Sequence, residues 1–209
     1  MNISDCIAKS RGRPRSEEKR REIMQAATEL FTEKGYVGTS VDDIAALAGV
    51  SKQTVYSHYG SKEALFGLAV STRCKNSGFD QDTIDPAIAP EIMLPQIARS
   101  FVGLVLSREA MRVYRVCTGS AETHPELGQL FYKHGPLQTV QVVSQYLAAQ
   151  NEVGTLHMED PEQAAWQFLC MLKAEGQMRV QFKMEHLSEA ELNTYIENCV
   201  AMFLRAYSR

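Results

Sequence analysis

Residues 21–66 read REIMQAATELFTEKGYVGTSVDDIAALAGVSKQTVYSHYGSKEALF, and their apolar spacing predicts a series of short helices. Apolar residues recur at helical intervals from Ile23, so they form one stripe on a first helix of about residues 17–34. Gly35 follows as a stop, because glycine readily takes the left-handed backbone that ends many helices. Three serines that can cap helix N-termini precede further apolar runs: Ser40, Ser51 and Ser61.

The rest of the chain keeps the same helical period. Runs of alternating β-branched residues and strand–turn–strand signals are lacking, so the sequence predicts an all-α protein. Residues 76–95 are rich in Asp, Gly and Pro and predict a connection rather than a helix. The helices expected beyond it cover these approximate ranges: 91–107, 108–119, 125–150 with a restart at 135–136, 161–184 and 188–207.

Residues 40–59 have the layout of a helix-turn-helix, with Gly49 at the turn. The second helix of such a pair enters the DNA major groove and presents its N-terminal side chains to base edges. Lys52 and Gln53 are long polar residues at that end, suited to guanine and adenine respectively. A helix–Gly–helix pattern also occurs in all-α proteins that do not bind DNA.

Several motifs in residues 21–66 carry a resemblance to a known family. They are AA-x-x-LF, GY-x-GTS, DIA-x-x-AGVS and Y-x-HY-x-SKE-x-LF, and together they resemble the DNA-binding domain of TetR-family transcriptional regulators. Gln53 stands where a small residue is often seen, so the operator sequence does not carry over. The resemblance implies that four residues face bases or adjacent phosphates: Lys52, Gln53, Tyr56 and His58. Three others are implied to touch mainly phosphate: Ser40, Thr54 and Lys62. Ser51 and Tyr59 are further candidate DNA-binding residues.

The second half resembles the AefR-like branch of the same family through RVYRVCTGSAETHPELGQLFYKHGP and DPEQAAWQFLCMLK. This resemblance implies a helical ligand-binding and dimerisation domain. It also implies a homodimer in which about residues 160–184 and 188–207 form a four-helix bundle with a second copy. The apolar stripe of the last helix agrees with that arrangement, although periodicity alone does not separate a dimer seam from a monomer core.

The resemblance further implies a pocket for a small lipophilic inducer among the middle helices. Apolar walls with a few polar groups suit such a ligand. The candidate lining residues are Phe101, Met111, Tyr114, Cys117, Phe131, Tyr132 and Trp166. For each of them, a place in the ordinary core is the alternative.

Positive charge is concentrated ahead of the first helix. Residues 9–21 read KSRGRPRSEEKRR, and seven of these thirteen positions are Lys or Arg, while the whole chain has a net charge of -3. Arg11, Arg13 and Arg15 predict an arm that enters a narrow minor groove, where arginine meets enhanced negative potential. A solvated tail is the alternative.

Other classes of function lack their signatures. The five Cys are dispersed without a CxxC pair, and we expect Cys117 and Cys170 to be buried structural thiols. The five His lack metal-binding spacing, so no metal or other cofactor is expected. Catalytic and phosphate-loop motifs are missing, so an enzyme is not expected. An apolar run near the ~18 residues of a membrane span is missing as well, and we expect a cytoplasmic protein.

The sequence therefore predicts three parts: a flexible basic arm (1–15), a three-helix DNA-binding domain (16–62) and a ligand-binding and dimerisation domain (63–209). The expected function is a homodimeric regulator that represses from a palindromic double-stranded DNA operator and is released by a lipophilic inducer. The alternative is a non-specific architectural nucleic-acid-binding protein, which the acidic body disfavours. An enzyme on a helical bundle is a third option without a supporting motif.

Overall fold

The computed structural model describes the backbone of residues 13–208 and the side chains of residues 16–208. Within that part of the chain it has ten α-helices and no β-strand, which confirms the all-α prediction. The helices are α1 (Arg13–Lys34), α2 (Val41–Leu47), α3 (Lys52–Tyr59), α4 (Lys62–Asn76), α5 (Pro90–Leu106), α6 (Arg108–Gly119), α7 (Pro125–His134), α8 (Pro136–Glu152), α9 (Pro161–Gln181) and α10 (Glu189–Tyr207).

Local capping chemistry explains where several helices begin. At α9, the Asp160 carboxylate accepts hydrogen bonds from the backbone N–H groups of Glu162 and Gln163, and Pro161 occupies the first turn. At α10, Ser188 and Glu191 form a reciprocal capping box. Each cap satisfies backbone donors that the first turn leaves without an intrahelical partner.

One helix starts clearly earlier than the sequence predicts. Helix α1 begins at Arg13 rather than near residue 17, so the predicted arm of residues 1–15 overlaps the helix at its last three positions. Pro14 permits this extension because proline is compatible with the first turn of a helix. Helix α5 begins at Pro90, within one residue of its predicted start at about residue 91, and continues through Pro95, so the connection predicted for residues 76–95 ends at residue 89. Burial of its apolar face offsets the backbone hydrogen bond that Pro95 cannot donate.

The chain forms two compact units that divide between Phe66 and Gly67, within α4. The core of the first unit joins α1, α2 and α3 with the start of α4, and Ile23, Ile44 and Leu65 are fully buried in it. Phe31 meets Phe66 edge to face, with ring centroids 5.3 Å apart. Aromatic pairs in this geometry add to the stability that area burial alone supplies.

The core of the second unit is built from α5, α8, α9 and α10. Phe168 of α9 is fully buried at its centre and packs on Phe203 of α10, with ring centroids 4.8 Å apart. The segment between α4 and α5 is fixed by two side chains of α8. Tyr146 donates a hydrogen bond to the carbonyl of Ile88 (2.9 Å), and Gln150 donates one to the carbonyl of Pro86 (2.7 Å). These bonds satisfy backbone carbonyls in a segment without helical partners.

The two singled-out cysteines differ in burial. Cys117 is buried as expected, and burial raises the pKa of its thiol to about 12. Cys170 is exposed, so its predicted burial is wrong. The reason is its place on α9: it lies two residues beyond Phe168, about 200° around the helix from the face that enters the core.

Candidate nucleic-acid interface

The turn between α2 and α3 depends on a glycine. Gly49 has φ +63°, a conformation that L side chains rarely adopt. The next residue, Val50, donates a backbone hydrogen bond to the carbonyl of Ala45 (3.0 Å), which closes the end of α2. Val55 of α3 and Ile44 of α2 are both buried and anchor the two helices to the unit's core. The opposite side of α3 is therefore left facing solvent.

Two of the predicted DNA-binding residues, Ser40 and Ser51, already use their hydroxyl groups to cap helices. Ser40 accepts a hydrogen bond from the N–H of Asp43 (3.0 Å), and its own N–H and hydroxyl donate to the Asp43 carboxylate. These bonds lower the pKa of Asp43. Ser51 accepts from the N–H of Thr54 (3.1 Å), and the two hydroxyl oxygens are 2.8 Å apart.

The exposed side of α3 carries three of the residues predicted to face bases. Lys52, Gln53 and Tyr56 are all exposed, and Tyr56 is 44% accessible despite its large ring. Their spacing of i, i+1 and i+4 places them on one side of the helix. An ammonium, an amide and a phenol group therefore lie side by side on the surface, where they can form hydrogen bonds with a bound macromolecule.

Lys52 has an acidic partner that the sequence analysis did not identify. Its Nζ lies 2.8 Å from Oδ2 of Asp42, in the first turn of α2, and both side chains are more than half exposed. The hydrogen bond from Lys52 to Asp42 is the main cause that raises the lysine pKa. A pair ten residues apart on two short helices has no periodic signature, so only the structure reveals it.

Tyr59 faces α1 rather than the exposed side of α3. Its hydroxyl donates a hydrogen bond to the carbonyl of Arg20 (2.6 Å), and the Arg20 guanidinium lies 5.5 Å from the ring centroid. Burial raises the pKa of Tyr59. His58 is half-buried, and its ring centroid is 6.4 Å from that of Tyr59. The Tyr59 hydroxyl thus ties α3 to α1, and Arg20 becomes a further cation beside the predicted set.

Lys62 is also held inside the first unit. Its ammonium group lies 4.1 Å from the centroid of the Tyr36 ring, a cation–π contact. The Tyr36 hydroxyl donates to the Glu63 carboxylate (2.6 Å), which lowers the pKa of Glu63. Partial burial lowers the pKa of Lys62. These contacts fix the position of a cation at the start of α4.

The arginines of the predicted arm fall partly outside the described chain. Arg11 lies outside the described residues. Arg13 and Arg15 belong to the backbone of α1, and their side chains lie outside the described part.

The residues predicted to line an inducer pocket lie in different surroundings. Phe101, Met111 and Cys117 are buried. Tyr114 and Phe131 meet edge to face, with ring centroids 6.2 Å apart. Tyr132 and Trp166 stack almost in parallel, with centroids 6.1 Å apart and ring planes 7° apart, and Tyr132 is half exposed.

A groove of about 220 Å³ lies between α5 and α10, away from these residues. It is lined by Pro95, Arg99, Ile196, Glu197, Val200, Ala201 and Leu204.

Among residues 13–208, three or more His, Cys, Asp or Glu do not come together as a metal site. Within the same range, every helix is too short or too polar to cross a membrane.

Each of the two units matches a known family of proteins. Residues 23–69 match the profile of bacterial regulatory proteins of the tetR family. Residues 93–209 match the C-terminal domain of AefR-like transcriptional repressors. Both descriptions are of transcription regulators rather than enzymes.

Individual relatives agree with the profiles. The transcriptional repressor Rv3405c of Mycobacterium tuberculosis is 39% identical over 72 residues, which are 32% of this chain and 38% of that protein. The match therefore spans less than half the length of this relative. A TetR-family regulator of known structure from Mesorhizobium loti is 32% identical, with a TM-score of 0.76 over 93% of this chain and 99% of that chain. The flavonoid-responsive regulator FrrA is 30% identical, with a TM-score of 0.73 over 92% of this chain and 98% of its own. With one profile covering more than half of its residues, this chain belongs to the TetR family of bacterial transcriptional regulators.

Proposed function

We propose that the protein is a homodimeric repressor that binds a palindromic DNA operator and leaves it when a lipophilic small molecule binds. Three features support separate parts of this proposal: the exposed side of α3, the uncovered faces of α9 and α10, and the aromatic groups of α6, α7 and α9. The observation that carries the DNA-binding part is the cluster of Lys52, Gln53 and Tyr56 on a helix whose opposite side is anchored by Val55.

The proposed DNA-binding residues differ in how free their polar atoms are to reach DNA. Gln53 and Tyr56 are exposed and can reach base edges or the nearest phosphates, and Lys52 can do so when it leaves Asp42. The hydroxyls of Ser40 and Ser51 form caps, and the Thr54 hydroxyl contacts that of Ser51. The caps would present the backbone N–H ends of α2 and α3 to phosphate. His58, Tyr59 and Lys62 would position these groups or touch phosphate at the edge. Arg11, Arg13 and Arg15 would add minor-groove contacts.

The proposal of a dimer through the last two helices is supported by large apolar side chains that they leave uncovered. Met178 is 59% exposed, Phe182 at the end of α9 is 66% exposed, and Met202 of α10 is 50% exposed. A two-fold symmetric contact would use the same surface on both protomers, so it would bury both copies of each of these side chains. Such a dimer would present two α3 helices to half-sites about 34 Å apart, or a multiple of that distance.

The ligand proposal rests on the aromatic groups of the second unit. Tyr132 and Trp166 provide parallel ring faces, and Tyr114 and Phe131 provide a second aromatic pair. FrrA, which is named for its response to flavonoids, resembles this chain over most of both lengths. A planar aromatic molecule is therefore our first candidate for the inducer. It would release DNA only to the extent that it binds the released conformation more tightly than the DNA-bound one.

The first experiment enriches DNA sequences from a randomised duplex pool with the purified protein and measures binding of the enriched site by mobility shift. We expect a palindromic site that binds two protomers and competes well against mixed-sequence DNA. Equal affinity for all sequences, with a steep dependence on salt, would support the architectural alternative instead.

A second experiment adds flavonoids to the complex and monitors release of DNA. Trp166→Leu should weaken the response without changing operator affinity in the absence of the flavonoid. Val153→Leu is a matched control, since it changes an exposed apolar side chain at the end of α8, an element assigned neither to the ligand site nor to the dimer contact. Release that is equal in wild type and Trp166→Leu would argue against the stacked pair as the ligand site.

A further inference from the structure

The pair between Asp42 and Lys52 stands at the start of both helices of the helix-turn-helix. Lys52 is the first residue of α3, and Asp42 lies in the first turn of α2. The Lys52 ammonium lies 2.8 Å from the Asp42 carboxylate, so one of the cations expected to meet DNA is already partnered within the protein.

The cap of α2 does not account for Asp42. The adjacent Asp43 forms the capping box with Ser40 and accepts both of the serine's hydrogen bonds. The Asp42 side chain is exposed, and its carboxylate accepts a hydrogen bond from the Lys52 ammonium. Its carboxylate would gain some stability from the positive end of α2, but this effect falls within the first turn and is screened by salt. The direct contact of the Asp42 carboxylate is therefore with Lys52, and the cap that stabilises α2 is formed by Asp43 instead.

We propose that Asp42 is a specificity-determining residue, which withholds the Lys52 ammonium from DNA phosphates and releases it to base-edge acceptors of the matching operator. This inference rests on the proposed DNA interface of α3. Lysine suits the role because its compact charge sits on a flexible stem that can exchange partners. Guanine O6 and N7 are the acceptors that a lysine at this position would reach in the major groove.

The strength of the pair suits a reversible exchange. Ion pairs between exposed side chains are weak, because water screens both charges and ordering the side chains costs entropy. On mixed-sequence DNA, the partnered Lys52 neutralises no phosphate, because the Asp42 carboxylate already offsets its charge. On the operator, a base contact replaces the Asp42 contact. The net effect is to lower non-specific affinity more than operator affinity.

The test compares wild type with Asp42→Asn on two probes: the operator enriched by the wild-type protein and a mixed-sequence duplex of equal length. Affinity is measured across a series of salt concentrations. Asp42→Asn should bind the mixed-sequence duplex about two- to fivefold more tightly for each protomer in contact. Its log–log salt slope should steepen by about one per protomer, because one further lysine neutralises a phosphate. The operator should gain less, so the ratio of operator to mixed-sequence affinity falls.

Two controls separate the pair from general charge effects. In a Lys52→Met background, Asp42→Asn should no longer steepen the salt slope, because the freed cation is missing. Glu29→Gln removes one exposed carboxylate from α1 without touching the pair and should leave the specificity ratio unchanged. Thermal unfolding of each variant confirms that differences in DNA affinity do not come from unfolding.

The outcomes distinguish the inference from the proposed function. If wild type enriches an operator but Asp42→Asn leaves both affinities and the salt slope unchanged, the inference is overturned and the repressor proposal stands. If Asp42→Asn gives the same slope change with and without Lys52, Asp42 acts through general repulsion and the inference is overturned. If wild type enriches no sequence, the proposed function fails, and a role in specificity fails with it.

Discussion

Replacing Gly67 with alanine tests how closely α4 packs against the end of α7. A Cβ on Gly67 would lie 2.6 Å from Cδ2 and 2.7 Å from Nε2 of His134, well inside the 3.5–4.0 Å of a favourable contact. The imidazole has little freedom to retreat, since it is half-buried and its Nδ1 lies 3.5 Å from the Ser71 hydroxyl. Overpacking of this kind costs about 1–3 kcal/mol. The higher helix propensity of alanine returns about 0.5–1 kcal/mol. Taking the middle of each range, we expect a net loss of about 1 kcal/mol, or roughly 2–4 °C in the unfolding temperature.

The matched experiment repeats Gly67→Ala in a His134→Ala background. Without the imidazole ring, the new methyl group meets no obstruction, so alanine should stabilise the protein by about 0.5–1 kcal/mol. The four proteins are compared by thermal unfolding at one protomer concentration, because dissociation of the proposed dimer would make the transition depend on concentration. Gly67→Ala should thus change sign between the two backgrounds. Stabilisation of equal size in both would refute the tight packing of α4 against His134.

Three further predictions concern titration, reactivity and capping. Burial lowers the pKa of His134 below its ordinary value of 6.5, so the unfolded chain takes up a proton more readily than the folded one. The neutral imidazole therefore contributes stability that is present above pH 6.5 and is lost as the pH falls below that value. Between pH 8 and pH 5, the unfolding temperature of wild type should fall by more than that of His134→Gln. Equal falls would contradict burial of the neutral His134 side chain. Cys170 should react with a maleimide in the native protein, whereas Cys117 should react only on unfolding. The Cys170 reaction should slow as the protomer concentration rises, because the proposed dimer contact would cover this side of α9. A rate that does not depend on concentration would argue against that contact. Ser188→Ala should cost about 1 kcal/mol by removing the capping box with Glu191, Ser188→Thr should retain most of it, and an unchanged unfolding temperature for the alanine variant would count against the cap.

The sequence predicted the features of the fold that arise from local chemistry. Ser40, Ser51 and Ser188 sit at helix starts because a serine hydroxyl and the N–H three residues later meet within one turn. The turn at Gly49 likewise follows from a conformation that glycine adopts without strain. Such signals span three or four residues, so they are legible without knowledge of the tertiary structure.

Features that depend on how helices pack were not predictable in the same way. The Tyr59 hydroxyl meets the carbonyl of Arg20 from 39 residues away, and the pairing of Asp42 with Lys52 depends on the crossing of two short helices. The exposure of Cys170 was missed because α9 carries apolar residues on several faces, so periodicity does not mark the one that enters the core. The start of α1 at Arg13 has no signal of its own in the sequence, because the basic composition of that segment is equally typical of an arm that binds DNA.

The measurement that most directly tests sequence-specific binding through α3 compares the DNA sites enriched by wild type and by Gln53→Ala. Gln53 is exposed, and replacing it should leave folding and dimerisation intact. We expect wild type to enrich a palindrome, and Gln53→Ala to relax the base preference at one symmetric pair of positions while the rest of the site persists. Each lost base contact should reduce discrimination there by about 1–3 kcal/mol. An identical site for both proteins, or no enriched site for wild type, would contradict the assignment of α3 as the helix that reads DNA sequence.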